Sequence, residues 1–182
     1  YYSINYKQQS NSPFSYCYAY VIASEDSTNI EVILSANTEG GSRKGDTIKI
    51  ALNKGQIYNV FGKVLTTGTG ASTGEDLTGT LIRSVATATS TCKRIAVFSG
   101  SGKINIYDNN SRSADNYIQQ AFPSNAWGKK YLTVPTAKMT NNIYRIAISD
   151  PTAVVKLNGN IIPQSSFVNN FYYDFVSNKT NS

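Results

Sequence analysis

Short runs in which apolar and polar residues alternate recur along the chain, and this pattern constrains the fold more than any other feature. The apolar positions of four such runs are Ile30, Val32 and Leu34; Ile48, Ile50 and Leu52; Ile95 and Val97, set against Ala96 and Phe98; and Tyr144, Ile146 and Ile148. Side chains of an extended strand point to opposite faces in turn. The spacing therefore predicts β-strands, each with one buried face.

Segments rich in glycine and asparagine separate these runs and predict turns or loops. They are Glu39-Gly40-Gly41-Ser42, Asn53-Lys54-Gly55, Thr67-Gly68-Thr69-Gly70 and Ser99-Gly100-Ser101-Gly102. The strongest turn signal is Asn158-Gly159 between two apolar runs, since Asn-Gly is the preferred pair of a type I′ hairpin. The segment from Ser113 to Phe122 fits a short helix ended by Pro123 and a strand equally well.

The composition is that of a folded, strand-rich chain. Of its 182 residues 40% are hydrophobic, 12% aromatic and only 15% charged, which distinguishes it from disordered sequences. No stretch of about 18 apolar residues occurs, so the sequence predicts no membrane insertion. The chain starts at Tyr1 without a methionine or a signal peptide, and we therefore expect a processed or excised segment.

The distribution of charge argues against a nucleic-acid partner, and the spacing of the cysteines argues against a metal site. The net charge is +6, but no basic run exceeds a pair, whereas a nucleic-acid interface needs a concentrated basic face. We therefore predict no nucleic-acid partner. The two cysteines, Cys17 and Cys92, lack the spacing of a metal motif. A single disulfide between them and a pair of unbridged thiols both fit the sequence.

The chain contains no histidine, which excludes Ser-His-Asp and Cys-His catalysis and histidine-containing zinc sites within it. Asp26 and Asp150 each follow a predicted strand, and we expect them to bind the turn backbone, since a lone aspartate supplies too few oxygens for calcium. No motif indicates a cofactor or a metal. The sequence predicts that the protein is not an enzyme.

A weak internal repeat indicates two related β units. Residues 20–32 resemble residues 144–156, residues 56–60 resemble 171–175, and residues 1–4 resemble 130–133. We therefore expect a first unit over residues 1–126 and a second, incomplete unit over residues 127–182. The predicted fold is all-β and antiparallel, with the two units packed as sandwich-like repeats; blades of an incomplete β-propeller are the alternative.

Aromatic residues are the candidates for ligand contact. Trp127 is the default residue for stacking on a sugar or a peptide, although packing against a neighbouring unit is the alternative. Tyr2 and Tyr131 occupy matching positions of the repeat and complete the predicted binding set. Among the thirteen tyrosines, six crowd near the start, where they suit either a recognition surface or a half-buried sheet, and we favour the sheet.

Three ordered groups of segments resemble a known family over most of the chain, from about Tyr2 to Val176. The first is residues 20–26 with Leu52-Asn53-Lys54-Gly55-Gln56-Ile57-Tyr58; the second is Asp76-Leu77-Thr78-Gly79-Thr80 with residues 95–100; the third is Gln119-Gln120-Ala121-Phe122-Pro123 with Trp127-Gly128-Lys129-Lys130-Tyr131. The family is the N-terminal domain family named after the IgG Fc-binding protein of mucus, which also occurs in large surface proteins of gliding bacteria.

This chain carries Gly102-Lys103 and Ala114-Asp115-Asn116 where vertebrate-like members carry cysteines. The resemblance is therefore to the bacterial, gliding-motility-associated cell-surface branch. It implies an extracellular or cell-surface adhesion module that recognises glycans, mucus or proteins within a larger multidomain surface protein. The implied partners are that glycan or protein ligand and neighbouring domains of the same polypeptide. A structural stalk module is the main alternative, and a carbohydrate-active enzyme domain is the third.

Overall fold

The computed structural model describes residues 1–7, 9–10, 15–66, 72–104, 114–139 and 141–182. Every strand pair in these ranges is antiparallel, and the helical elements there are two 3₁₀ turns of three residues each. The predicted all-β antiparallel class is confirmed. The chain forms two compact units, Tyr1–Pro123 and Ser124–Ser182.

The first unit contains ten strands in the described part of the chain. They are β1 (Gln9–Ser10), β2 (Cys17–Ala23), β3 (Thr28–Ile33), β4 (Thr47–Leu52), β5 (Ile57–Phe61), β6 (Val64–Thr66), β7 (Ser72–Gly74), β8 (Leu81–Ser84), β9 (Ile95–Ile104) and β10 (Asp115–Gln120). They form a four-stranded sheet in the order β10-β9-β2-β5 and two three-stranded sheets, β4-β3-β8 and β1-β7-β6.

Two of these sheets share one hydrophobic core. β2 and β9 contribute Ala19, Val21 and Val97, and the sheet β4-β3-β8 contributes Val32 and Ile82, all at most 1% exposed. Two sheets that bury their inner faces against each other form a sandwich, because each has only one apolar face to hide. The alternation in the sequence thus leads to the sandwich-like packing that it predicted.

The segment Ser99-Gly100-Ser101-Gly102 was predicted as a turn, and that prediction is wrong because the segment lies inside strand β9. Both serines are fully buried, and their hydroxyls bind the backbone of Ile4 and Tyr6. Small polar residues are therefore used here inside a strand, where a chain segment passes close by.

The sequence left open whether the segment from Ser113 to Phe122 is a helix or a strand, and the structure decides this for most of the segment. Residues 115–120 form strand β10, which pairs with β9, so the strand interpretation holds there and the helix does not. Ser113 and the predicted loop Thr67-Gly68-Thr69-Gly70 lie outside the described residues.

The second unit contains β11 (Asn142–Ala147), β12 (Lys156–Leu157), β13 (Asn160–Ile161) and β14 (Tyr172–Ser177). The predicted hairpin is confirmed: β12 pairs with β13, and the two turn residues, Asn158 and Gly159, have φ values of 51° and 85°. Positive φ at both positions is the signature of a type I′ turn. Ile148, Ile162 and Phe167 form the small core of this unit.

The two units share a connectivity. In the first, β2 pairs with β5 while β3 pairs with β4; in the second, β11 pairs with β14 while β12 pairs with β13. The registers differ by one residue from the sequence echo, since Ile22 pairs with Ile57 but Ile146 pairs with Tyr173. That the second unit is an incomplete copy of the first stays a prediction.

Candidate functional site

The outer face of the four-stranded sheet carries aromatic side chains. Along β2 the residues Cys17, Ala19, Val21 and Ala23 are buried, whereas Tyr18, Tyr20 and Ile22 between them are only partly buried. Because successive side chains of a strand point to opposite faces, the two tyrosines lie on the side away from the core. β2 thus supplies the centre of an outward-facing surface.

Strand register brings further rings beside these tyrosines. Tyr20 lies opposite Phe98 of β9, and their rings are stacked, with centroids 5.0 Å apart and planes 11° from parallel. Tyr18 and Tyr20 are also stacked, at 6.3 Å and 24°. Tyr18 lies opposite Phe61 of β5. We call Tyr18, Tyr20, Phe61 and Phe98 the aromatic face.

Gly100 lets the Tyr18 ring lie across strand β9. Tyr18 and Gly100 are opposite each other in the register, and the Tyr18 hydroxyl donates to the Tyr117 carbonyl of β10 at 3.5 Å. A Cβ at residue 100 would lie 2.7 Å from the Tyr18 Oη atom and 2.1 Å from the Tyr117 oxygen. Burial raises the pKa of Tyr18 above its ordinary value, so its phenol stays neutral.

Uncharged side chains surround the rings. The exposed fractions of Ile57, Phe61 and Ile118 are 53%, 41% and 50%, and Asn59 and Gln120 are also exposed. The outward positions of the four strands across this surface are Ile118 and Gln120; Ala96, Phe98 and Gly100; Tyr18, Tyr20 and Ile22; and Ile57, Asn59 and Phe61. None of these residues is charged, although the chain has a net charge of +6.

The structure brings together two of the three predicted binding residues. Trp127 and Tyr131 both lie in the loop that begins the second unit, where the Gly128 amide donates to the Tyr131 hydroxyl at 2.7 Å. The Trp127 and Phe171 rings are 6.4 Å apart, and Tyr131 is 63% exposed. Tyr2 belongs to the first unit, where it bridges to Leu81.

Cys17 and Cys92 are free cysteines in this structure, which therefore shows no disulfide between them. Cys17 is buried opposite Ser101, whereas Cys92 is exposed and precedes Ile95, which pairs with the other end of β2 at Ala23. Six residues of strand separate the two ends of β2, or roughly 20 Å. A disulfide needs Cα atoms within about 7 Å.

The two aspartates bind backbone groups in different ways. Asp150 accepts from the backbone amide and the hydroxyl of Thr152, at 2.8 and 2.7 Å, and these hydrogen bonds lower its pKa. This is the local turn that the sequence predicted. Asp26 instead accepts from the backbone amide of Lys54 at 3.0 Å and so joins the β2–β3 turn to the β4–β5 turn. Within the described residues no group of three or more acidic or cysteine side chains could hold a metal.

The sequence did not identify the aromatic face as a site. The sequence does contain a signal for the tyrosines of this face. Tyrosines alternate with smaller residues along Tyr16-Cys17-Tyr18-Ala19-Tyr20-Val21, and this pattern places three tyrosines on the outward side of a strand. The contributions of Phe61 and Phe98 depend on the order of the strands, which alternation does not specify.

Comparison with known proteins identifies the family. A family model described as IgGFc binding protein matches residues 1–181. The chain belongs to the IgGFc binding protein family. Members of this family are binding domains and are typically extracellular, and the family is not a known enzyme family. Membership therefore suggests an extracellular binding module.

Searches of the curated proteins and of the solved structures each gave no match. Within the residues that the structure describes, none of the helices has the length and apolar character needed to cross a bilayer.

Proposed function

We propose that this chain is an adhesion module of a bacterial cell-surface protein and that its aromatic face contacts the ligand. The stacked row of Tyr18, Tyr20 and Phe98 on the outside of the four-stranded sheet carries the proposal. The physical reason is conformational entropy. Rings that are already held by their neighbours lose little conformational entropy on binding, so most of the contact area that they bury contributes to affinity.

The sheet behind the rings makes the surface rigid. The side chains on the opposite face of β2 and β9 are in the core, where Ala19 and Val97 are fully buried. Residues on a central strand pair are more precisely placed than residues on loops. A preformed surface of this kind suits a module that must hold its ligand against detachment.

The proposed cellular setting rests on family membership and on residue differences. Gly102-Lys103 and Ala114-Asp115-Asn116 stand where vertebrate-like relatives carry cysteines, which favours the bacterial branch and a role in gliding or attachment. The partners are then a glycan or protein displayed on mucus or another surface, and neighbouring domains of the same polypeptide. Trp127 and Tyr131 are a second candidate contact, and Tyr2 completes the set predicted from the sequence.

Retention on mucin-coated and cell-coated surfaces under flow tests the proposal. Tyr20→Ser and Phe98→Ser, alone and together, should reduce retention of the labelled chain, because they remove the stacked pair at the centre of the face. The matched control is Val154→Ser, which removes another apolar side chain, 72% exposed, from the second unit. Circular dichroism verifies that each variant folds.

Equal retention of the wild type, the folded Tyr20→Ser/Phe98→Ser double variant and the control would show that the aromatic face is not the contact surface. Loss of retention in Trp127→Ser and Tyr131→Ser alone would transfer the site to the second unit.

A further inference from the structure

We infer that the ligand of the aromatic face is an uncharged glycan, an inference that rests on the proposed function of this face. One row of side chains carries it. The strand register places Gln120 of β10 opposite Phe98 of β9, Phe98 opposite Tyr20 of β2, and Tyr20 opposite Asn59 of β5. Two stacked rings thus lie at the centre of the row and an amide side chain lies at each end.

The length of the row fits a short oligosaccharide. Neighbouring strands are about 4.8 Å apart, so four strands span roughly 14 Å from Gln120 to Asn59. The C–H faces of a pyranose ring pack on aromatic rings, whose faces carry partial negative charge. Tyr20 and Phe98 therefore offer a stacking surface that a sugar can cover while its hydroxyls project toward both ends.

The two amides supply the polar half of the recognition. An amide side chain has two donor hydrogens and an acceptor oxygen, and so can bind a hydroxyl group in either direction. Neither the Asn59 nor the Gln120 side chain makes a hydrogen bond in the described part of the chain. Both are exposed, and their hydrogen-bonding groups can therefore bind a ligand without breaking an existing contact.

The absence of charge on the face selects against acidic ligands. Sulfated or sialylated glycans and nucleic acids are bound through lysine and arginine, whose contacts with anions are strong and salt-dependent. Several basic residues of the first unit are engaged elsewhere: Lys49 and Arg83 bind Glu31 on the other sheet, Lys93 binds the Asp26 carbonyl oxygen, and Arg94, which precedes β9, is paired with Glu25. A protein partner would ordinarily be oriented by complementary charge, and the outward positions of this face offer none.

Calorimetric titration of the full chain with neutral and acidic oligosaccharides tests the inference. The neutral probes are gluco-, manno- and chito-oligosaccharides of two to six sugars, and the acidic probes are sialyllactose and heparin fragments. We expect binding of at least one neutral probe, with an affinity that does not change between low and high salt. The Asn59→Leu/Gln120→Leu variant should bind about tenfold more weakly or worse, which is the effect of about 1.4 kcal/mol of lost hydrogen bonding.

Gln164→Leu is the matched control, because Gln164 is an exposed amide in the second unit; it should bind as the wild type does. Salt-sensitive binding of the acidic probes alone would overturn the inference. A second result would also overturn it: the chain binds a protein from which the glycans have been removed enzymatically, Tyr20→Ser abolishes that binding, and no neutral sugar binds. The second result would leave the aromatic face as the adhesion surface, so the inference would fail and the proposed function would survive.

Discussion

The Ser99 hydroxyl satisfies both backbone groups of Ile4. Its oxygen accepts from the Ile4 amide at 3.1 Å and its hydrogen is donated to the Ile4 carbonyl at 2.9 Å. On the other side of the same segment, the Thr78 hydroxyl binds the amide and carbonyl of Asn5 at 2.8 and 3.1 Å. Side chains therefore replace a backbone ladder at residues 4–6, which lie between β9 and the segment before β8, whereas residues 1–3 form backbone hydrogen bonds with residues 79–82.

Substitution of Ser99 by alanine should destabilise the protein by about 1–3 kcal/mol, because it leaves two partly buried backbone groups of Ile4 without the hydroxyl that binds them. Urea unfolding followed by circular dichroism and tyrosine fluorescence measures the change, because the single tryptophan, Trp127, lies in the second unit. The control is Ser165→Ala, which removes an exposed hydroxyl and should change stability by less than about 0.5 kcal/mol. Equal stability of the two variants would contradict the role assigned to Ser99.

Gly100→Ala should separate β10 from β9 and displace the Tyr18 ring. Its Cβ would lie 2.1 Å from a backbone oxygen, that of Tyr117, and backbone is not free to yield as a flexible side chain is. Hydrogen exchange should show faster exchange of the amides of residues 118–120. The control is Gly40→Ala, where the nearest atom is 3.9 Å away. Unchanged exchange in Gly100→Ala would show that the two strands tolerate the methyl group.

Asp174→Asn should destabilise the second unit. Arg145 of β11 and Asp174 of β14 face each other across the strand pair and form two hydrogen bonds of 2.7 Å, while the guanidinium lies 3.9 Å above the Tyr172 ring. The arginine side chain is only 12% exposed, so the variant removes the opposite charge that stabilises a largely buried guanidinium. We expect a cost of about 1–2 kcal/mol.

A double-mutant cycle with Arg145→Met isolates the coupling between Arg145 and Asp174 from the packing that the long side chain contributes. Additive effects of the two substitutions would show that the ion pair contributes nothing beyond packing.

Glu31 should make folding stability fall in acid. A hydrogen bond from Arg83 is the main cause that lowers the pKa of Glu31 below its ordinary value of 4.5, with the charges of Arg83 and Lys49 adding to it. A depressed pKa means that the carboxylate stabilises the folded state above 4.5 and that this contribution is lost as the pH falls through the folded-state value. Urea midpoints of the wild type and Glu31→Gln should therefore differ at neutral pH and converge in acid. A difference that is constant with pH would contradict this assignment.

The two thiols should differ in reactivity. Cys92 is exposed and Cys17 is 1% exposed, so a thiol reagent should modify one cysteine per native chain rapidly and the second only on unfolding. Mass spectrometry of the alkylated protein, with Cys92→Ser as the comparison, identifies the site. If neither cysteine of the unfolded, oxidised protein reacted and both reacted after reduction, a bridge between them would instead be established.

Sequence patterns predicted the local elements well and the contacts between distant elements poorly. Alternation located strands at Ile30, Ile95 and Tyr144, and Asn158-Gly159 defined its own hairpin, because these features depend on neighbouring residues. The role of Ser99 was misjudged, since the glycine and serine residues of 99–102 have turn-like composition and their partners lie some 95 residues away. The aromatic face was missed for the same reason: it requires knowledge that β2 lies between β5 and β9.

The hydrogen bonds of residues 1–6 have a mechanical consequence. Ile4 and Tyr6 bind Ser99 and Ser101 on one side, Asn5 binds Thr78 on the other, and all these bonds lie across the direction of the segment. A pulling force along the segment would act on these hydrogen bonds simultaneously, in shear. The bonds would therefore have to break together and could not break one after another. The hydrogen bonds that hold residues 4–6 therefore resist extension of this segment.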